Sequence, residues 1–281
     1  MEIARTIADL RRHIAAWRKG GERVGLVPTM GALHQGHMAL VRTARAECDR
    51  VVASVFVNPK QFAPTEDLGS YPRREAADFE MLQSAGVDLV FIPALDEMYP
   101  PGFATLVRVS GLTEGLCGAH RTGHFDGVTT VVTKLLIQAL PDIAYFGEKD
   151  YQQLTVVRRL ARDLDIPVRI ACVPTVREAD GLALSSRNVF LSAEERRIAT
   201  NLARVLRSIA AALAQDPTAV EREIARGSAA LQQAGFAVEY LEIREAESLA
   251  VTTEVTPSSR VFAAVGLGTT RLIDNMPIAG D

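Results

Sequence analysis

Apolar residues in the first part of the chain fall into short uninterrupted runs, separated by longer stretches of helical period. The runs are residues 24–27 (VGLV), 51–57 (VVASVFV), 88–92 (DLVFI), 143–146 (IAYF) and 168–173 (VRIACV). Apolar runs of this length predict strands buried on both faces, as in a parallel sheet. Ile7, Leu10, Ile14 and Trp17 lie on one stripe and predict a helix over Ile7–Lys19, stopped by Gly20 and Gly21. Leu40, Val41 and Ala44 give the buried face of a second helix. Residues 73–85, 128–140 and 151–163 read as further helices, and Pro141 ends the middle one. Residues 105–109 read as an edge strand and residues 111–127 as a glycine-rich polar loop. Strand and helix thus alternate to about residue 174, which predicts an α/β fold with a doubly wound parallel sheet and right-handed crossovers.

The pattern then changes. Ser192, with Glu194 and Glu195 in the first turn, caps a helix running to about Ala214. Asp216 and Pro217 start another that ends near Gly235, and residues 238–244, 260–266 and 270–275 read as an antiparallel set. The expected division is a domain over residues 1–174 and a smaller C-terminal α+β domain over residues 175–281.

Ligands of doubly wound sheets bind beyond the carboxyl ends of the strands. Four polar segments are expected on that rim: His34 to His37, Asn58 to Gln61, Gly147 to Asp150, and residues 177–188. In the first, a strand ends in Pro28-Thr29-Met30-Gly31 and a helix begins with two histidines three apart. Unpaired N–H groups and the helix dipole suit an anionic phosphate there, with His34 and His37 as donors and Gly36 leaving room for backbone approach. Lys149 places a point charge on phosphate or carboxylate oxygens, and Asp150 caps a helix or holds a ribose hydroxyl. Gln152 and Gln153 are adjacent on a helix, so at most one faces a ligand. Ser185, Ser186, Arg187 and Asn188 suit a loop closing on phosphates. Asn58 and Gln61 are uncharged and suit a hydroxy acid or amide. Arg121 and His124 lie in the glycine-rich stretch, as donors or as solvated side chains. Cys117, His120 and His124, with His34 and His37, are also residue types that bind zinc, but the carboxylate or backbone partners that orient such ligands are not evident.

Composition narrows the class. The 281 residues are 48% hydrophobic and 23% charged, with net charge −3. No overall positive field favours nucleic acid or an anionic membrane. The three separated cysteines, Cys48, Cys117 and Cys172, suggest no disulfide framework and fit a reducing cytoplasm. The first twenty residues lack the apolar core of a signal peptide, and no apolar run approaches a bilayer span.

The segments PTMGALHQGH (28–37), FVNPKQF (56–62), YPR (71–73), HFDGV (124–128), YFGEKDYQQL (145–154) and VREADGLALSSRN (176–188) occur in this order. Together they make the chain similar to the pantothenate synthetase (pantoate–β-alanine ligase) family, over essentially its whole length. HxGH alone marks a broader nucleotidyltransferase superfamily. The resemblance implies a cytosolic homodimer with a Rossmann-like N-terminal domain and a C-terminal lid. It implies that ATP, with Mg²⁺, and pantoate form pantoyl-adenylate, which β-alanine then attacks to give pantothenate and AMP. It places Met30, Gly31, Ala32, Leu33, His34, Gln35, Gly36 and His37 on ATP, with His37 as proton donor. It also places Gly147, Glu148, Lys149, Asp150, Val176, Leu184, Ser185, Ser186 and Arg187 there, the last group a counterpart of the synthetase KMSKS loop. Met30, Gln61 and Gln153 would bind pantoate, with Asn58 and Arg121 as further substrate contacts. Only Asp78 remains of the acidic cluster that some relatives use to hold the metal. A nucleotidyltransferase joining AMP or CMP to a phosphate acceptor would share the HxGH turn but should carry a basic acceptor site. A nucleotide-binding module without catalysis is the third reading.

Overall fold

The computed structural model of the protein describes residues 1–63, 66, 68–69 and 71–278. The chain runs β1 (Glu2–Ala4), α1 (Ile7–Lys19), β2 (Val24–Thr29), α2 (Gln35–Glu47), β3 (Arg50–Val55), α3 (Glu75–Ser84) and β4 (Leu89–Phe91). It continues through α4 (Leu95–Met98), α5 (Cys117–His120), α6 (His124–Ala139), β5 (Ile143–Gly147), α7 (Tyr151–Asp163) and β6 (Arg169–Val173). Then follow α8 (Ala193–Gln215), α9 (Val220–Gln233), β7 (Ala237–Glu245), β8 (Ser259–Leu267) and β9 (Thr270–Pro277).

Six strands form a parallel sheet in the order β1-β4-β3-β2-β5-β6. From β2 the chain moves outward through β3 to β4, then returns to β5 and β6 on the other side. The direction of winding reverses between β2 and β5, which is the topological switch point of the sheet. Val27, Val51, Ala53, Val90, Ile143 and Tyr145 turn one face toward Met38, Val41 and Ala44 of α2 and Leu82 of α3. Alternate positions such as Leu26, Val52, Leu89 and Ala144, equally buried, point to the other face. Burial on both faces is the reason these strands read as continuous apolar runs.

The remaining strands, β7, β8 and β9, form an antiparallel sheet in that order. Leu202, Leu206, Ile209 and Leu213 of α8 and Leu231 of α9 bury against Leu241, Ile243, Val261 and Val265 of that sheet. The α8 start has the capping box its sequence predicts: Ser192 Oγ accepts from Glu195 N, and the Glu195 carboxylate accepts from Ser192 N. By compactness the chain forms two units. One comprises Met1–Ser110, Arg121–Glu148 and Val156–Pro174, the other Gly111–His120, Lys149–Thr155 and Thr175–Asp281.

Three local expectations are corrected. Residues 105–109 are not a strand; threonines of α6 take their polar groups instead, with Val107 N donating to Thr130 Oγ1 at 3.1 Å and Thr129 Oγ1 donating to Val107 O. One edge of the sheet is β1, whose three residues pair with β4 and are too few to show a period; the other is β6. Helix α6 begins at His124 rather than 128, and a four-residue helix, α5, interrupts the glycine-rich stretch.

Leu82 is fully buried in the core beneath α3. Leu82→Ala is expected to lower unfolding stability by about 2–5 kcal/mol. A shifted denaturant midpoint at unchanged slope checks this.

Candidate active site

The turn that leaves β2 at the switch point is held from below. Asp78, on α3 and buried, accepts from Ala32 N at 2.9 Å and from Leu33 N at 2.8 Å, one bond to each carboxylate oxygen. Burial pushes the Asp78 carboxyl above its usual range, and the two backbone N–H groups pull against that shift. Thr29 Oγ1 donates to Ser54 O at 2.7 Å and accepts from Gly31 N at 3.2 Å. The backbone follows a left-handed path through Gly31 (φ 80°) and Ala32 (φ 50°). A side chain at Gly31 would crowd the Asp78 carboxylate and Val55.

Helix α2 starts on its two histidines. His34 is the N-cap, and its Nδ1 accepts from Gly36 N at 3.1 Å. His37 reaches back, its Nδ1 accepting from His34 N at 3.3 Å. This is a capping box built from imidazoles, with ring centroids 4.1 Å apart. A nitrogen that accepts from a backbone N–H carries no proton of its own. Each neutral ring therefore holds its hydrogen on Nε2, which makes Nε2–H the donor.

Beside this turn, β3 runs into a 3₁₀ turn at Pro59–Gln61. Asn58 is buried and has its hydrogen-bonding capacity filled. Nδ2 donates to Gln61 Oε1 and to Gly127 O, both at 3.0 Å. Oδ1 accepts from Tyr99 Oη at 2.8 Å and from Lys60 N at 3.4 Å. Gln61 Nε2 in turn donates to Met30 Sδ at 3.1 Å. Helix α6 crosses the 3₁₀ turn so closely that a Cβ at Gly127 would overlap the Lys60 carbonyl. His124 Nδ1 bonds Gln61 O at 2.9 Å, and its Nε2 faces Arg121 Nη1 at 3.0 Å. The Arg121 fork is bidentate on Glu66, with both contacts at 2.7 Å. Burial alone would raise the Glu66 carboxyl, but the Arg121 guanidinium holds it below its ordinary value. A further cavity of about 450 Å³ runs from Met30 and Gly31 past Phe56, Arg73 and Arg74.

The second unit carries the other polar segments. Lys149 is half-buried, and its carbonyl accepts from Asn275 Nδ2 at 3.0 Å. Asn275 Oδ1 accepts from Arg260 Nη2 at 2.7 Å, and that guanidinium stacks 4.1 Å above the Tyr151 ring centroid. Gln152 is buried and structural: it accepts from Cys117 N and donates to Leu112 O and Gly115 O. Gln153 is half-buried on the same helix. Val176 and Leu184 face each other in a short hairpin, Leu184 N donating to Val176 O at 3.0 Å, with the turn made at Gly181 (φ 94°). Arg177 pins that hairpin to β9 through a bidentate bond to the buried Asp274, at 2.6 and 2.8 Å. Ser185 caps the 3₁₀ segment Ser186–Phe190, its Oγ accepting from Arg187 N at 3.3 Å.

The first unit thus brings together Met30 to His37, Asn58, Gln61, Asp78, Arg121 and His124, with Gly147 and Glu148 leaving the neighbouring β5. Lys149, Asp150, Gln153, Val176, Leu184, Ser185, Ser186 and Arg187 belong to the second unit. Asn58 bonds Gln61, Gly127, Lys60 and Tyr99 within the protein. Both Asp78 oxygens hold the β2 turn. Among the described residues, no three His, Cys, Asp or Glu side chains gather as a metal cluster. Cys117 contacts Tyr240 Oη, His120 faces Glu239, and His124 faces Arg121, so they do not assemble a zinc set. The described residues thus offer no protein-built cluster of three metal ligands. Sequence reasoning missed Glu66, Tyr99, Arg260, Asp274 and Asn275, and included Arg177 only within the polar segment 177–188. The available signal was the adjacent polar pair Asp274-Asn275 within β9.

The family model described as Pantoate-beta-alanine ligase matches residues 2–277. Among curated relatives, the pantothenate synthetase of Caulobacter vibrioides is 56% identical over 283 residues, covering 98% of each chain. That of Paramagnetospirillum magneticum is 55% identical over 279 residues, covering 99% of this chain and 98% of the relative. Among solved structures, pantothenate synthetase from Thermus thermophilus superposes with a TM-score of 0.94 at 49% identity, covering all of both chains. Pantoate-beta-alanine ligase from Francisella tularensis, complexed with beta-gamma ATP and beta-alanine, gives 0.84 at 34% identity, over 100% of this chain and 99% of that one.

Asp78→Asn keeps the shape but sets an amide N–H₂ against one of the two backbone donors. A stability loss of about 1–3 kcal/mol is expected. Calorimetric melting of the two proteins side by side measures it; equal melting would show that the carboxylate does not brace the turn.

Proposed function

The chain belongs to the pantoate–beta-alanine ligase family, and from that premise we propose how its residues divide the work of joining pantoate to β-alanine at the expense of ATP. A pantoate carboxylate oxygen attacks the α-phosphorus of ATP, and the bond to the bridging oxygen breaks with release of pyrophosphate. The β-alanine amine then attacks the acyl carbon of pantoyl-adenylate, AMP leaves, and the amine loses its proton. Neither step needs a side-chain nucleophile. Each needs donors fixed where charge builds on phosphate oxygens.

His34 and His37 supply two such donors from Nε2. Met30 to His37, with Gly147, Glu148, Lys149, Asp150, Val176 and Leu184 to Arg187, hold the nucleotide. Lys149, Ser185, Ser186 and Arg187 add donors for the triphosphate. Gln61 and Gln153 hold pantoate beside Met30, and Arg121 shapes that side through His124. Residues 1–174 bind ATP and pantoate, and residues 175–281 form a lid that keeps water from the adenylate. Mg²⁺ would be held by the triphosphate rather than by Asp78, both of whose oxygens accept from backbone N–H groups. The observation that carries this reading is the uncharged Gln61 amide, oriented by Asn58 and touching Met30 at the foot of the histidine turn. An amide suits a small hydroxy acid, whereas a phosphate acceptor calls for a basic site.

The protein is further proposed to be a cytoplasmic homodimer. Its three cysteines form no disulfide, as a reducing compartment permits, and Leu106, Ile137 and Leu140 expose apolar surface on the first unit.

ATP–pyrophosphate exchange tests the reaction. Exchange should require pantoate and proceed without β-alanine; exchange that required a phosphate ester instead would replace this reading with nucleotidyl transfer. His37→Ala and Lys149→Ala should each slow adenylation by ~10²–10³, the usual loss for one preorganised donor. His37→Gln separates two roles, since Gln at that position can keep the helix cap without supplying the imidazole donor. It should remain folded and as slow as His37→Ala, while a rate near wild type would remove His37 from the chemistry.

A further inference from the structure

Tyr99 lies outside every segment so far given a role in the reaction, yet its hydroxyl ends a chain of oriented amides. We propose that Tyr99 is a positioning residue that, through Asn58, locks Gln61 with its amide N–H₂ toward pantoate. The inference rests on the reading that Gln61 binds pantoate.

Burial pushes the Tyr99 phenol well above its ordinary value, so it stays protonated and able to donate. It donates to Asn58 Oδ1 at 2.8 Å, the shorter of the two bonds that oxygen accepts. With its oxygen so held, Asn58 must turn Nδ2 toward Gly127 O and Gln61 Oε1. Gln61 Oε1 is thereby occupied, and its Nε2 is left facing Met30 Sδ. A flipped Asn58 would set its amide hydrogens against Lys60 N–H and its oxygen against Gly127 O. Gln61 therefore meets a substrate as a donor, matched to the oxygens of a hydroxy acid.

The ring of Tyr99 is fixed independently of its hydroxyl. It meets Phe103 edge-on at 5.0 Å and Phe56 at 6.1 Å, and the Lys60 ammonium sits 5.1 Å from its centroid. Tyr99→Phe can therefore keep the packing and delete only the bond to Asn58.

Steady-state kinetics of the purified enzyme, with pantoate, ATP and β-alanine each varied, tests the proposal. Tyr99→Phe should raise KM for pantoate about five- to tenfold, the worth of one such hydrogen bond, and move the other two KM values less than about twofold. In an Asn58→Asp background, where the side chain at 58 cannot donate to Gln61, adding Tyr99→Phe should change pantoate KM by less than about twofold. Gln61→Ala provides the reference. An unchanged pantoate KM in Tyr99→Phe, when Gln61→Ala raises it, overturns the relay and leaves the Gln61 reading standing. An equal rise for all three substrates also overturns it. An unchanged pantoate KM in Gln61→Ala overturns the reading beneath it.

Discussion

Two backbone N–H groups, those of Ala32 and Leu33, end on one buried carboxylate, and the first unit's site follows from that contact. Gly31 takes the left-handed path freely, but Ala32 does so at a cost that the surrounding structure must offset. Asp78 does so from α3. With the turn fixed, Met30 faces the 3₁₀ segment and His34 stands at the start of α2.

The imidazole capping box shows how structure and chemistry share atoms. Nδ1 of each histidine satisfies a backbone donor that the helix start would otherwise leave unpaired. Nε2 of each is thereby the protonated atom, as charge stabilisation on a phosphate requires. In the same unit Asn58 spends both ends of its amide on the protein, and its Nδ2 holds the Gln61 oxygen so that the N–H₂ end of Gln61 is defined. Preorganisation of this kind is what makes such donors effective, since little rearranges as charge develops.

Much of this was legible in the sequence, for physical reasons. Strands buried on both faces leave unbroken apolar runs, so β2 to β6 could be read directly. The histidine turn is local, with strand, turn and helix start in one continuous stretch. Helix α6 was misjudged at its start because Gly123 precedes it in a left-handed conformation with no side-chain cap, and nothing marks such a start. The supporting contacts were hidden by distance along the chain: 46 residues from Ala32 to Asp78, 41 from Asn58 to Tyr99, and 97 from Arg177 to Asp274. Asp78, Tyr99 and Asp274 are ordinary residues in their local context. Their meaning comes only from what folding sets against them.

The Arg177–Asp274 pair has a mechanical consequence for the segment that bears the serines. A glycine-turned hairpin followed by Ser185, Ser186 and Arg187 would ordinarily be taken for a floppy tether. Bolted to β9 by a two-pronged buried bond, it is instead a stiff bracket, and the strand behind it sets where the hydroxyls stand. Alignment at the tip is then governed by β9, so wear at the anchor would misplace the serines without touching them.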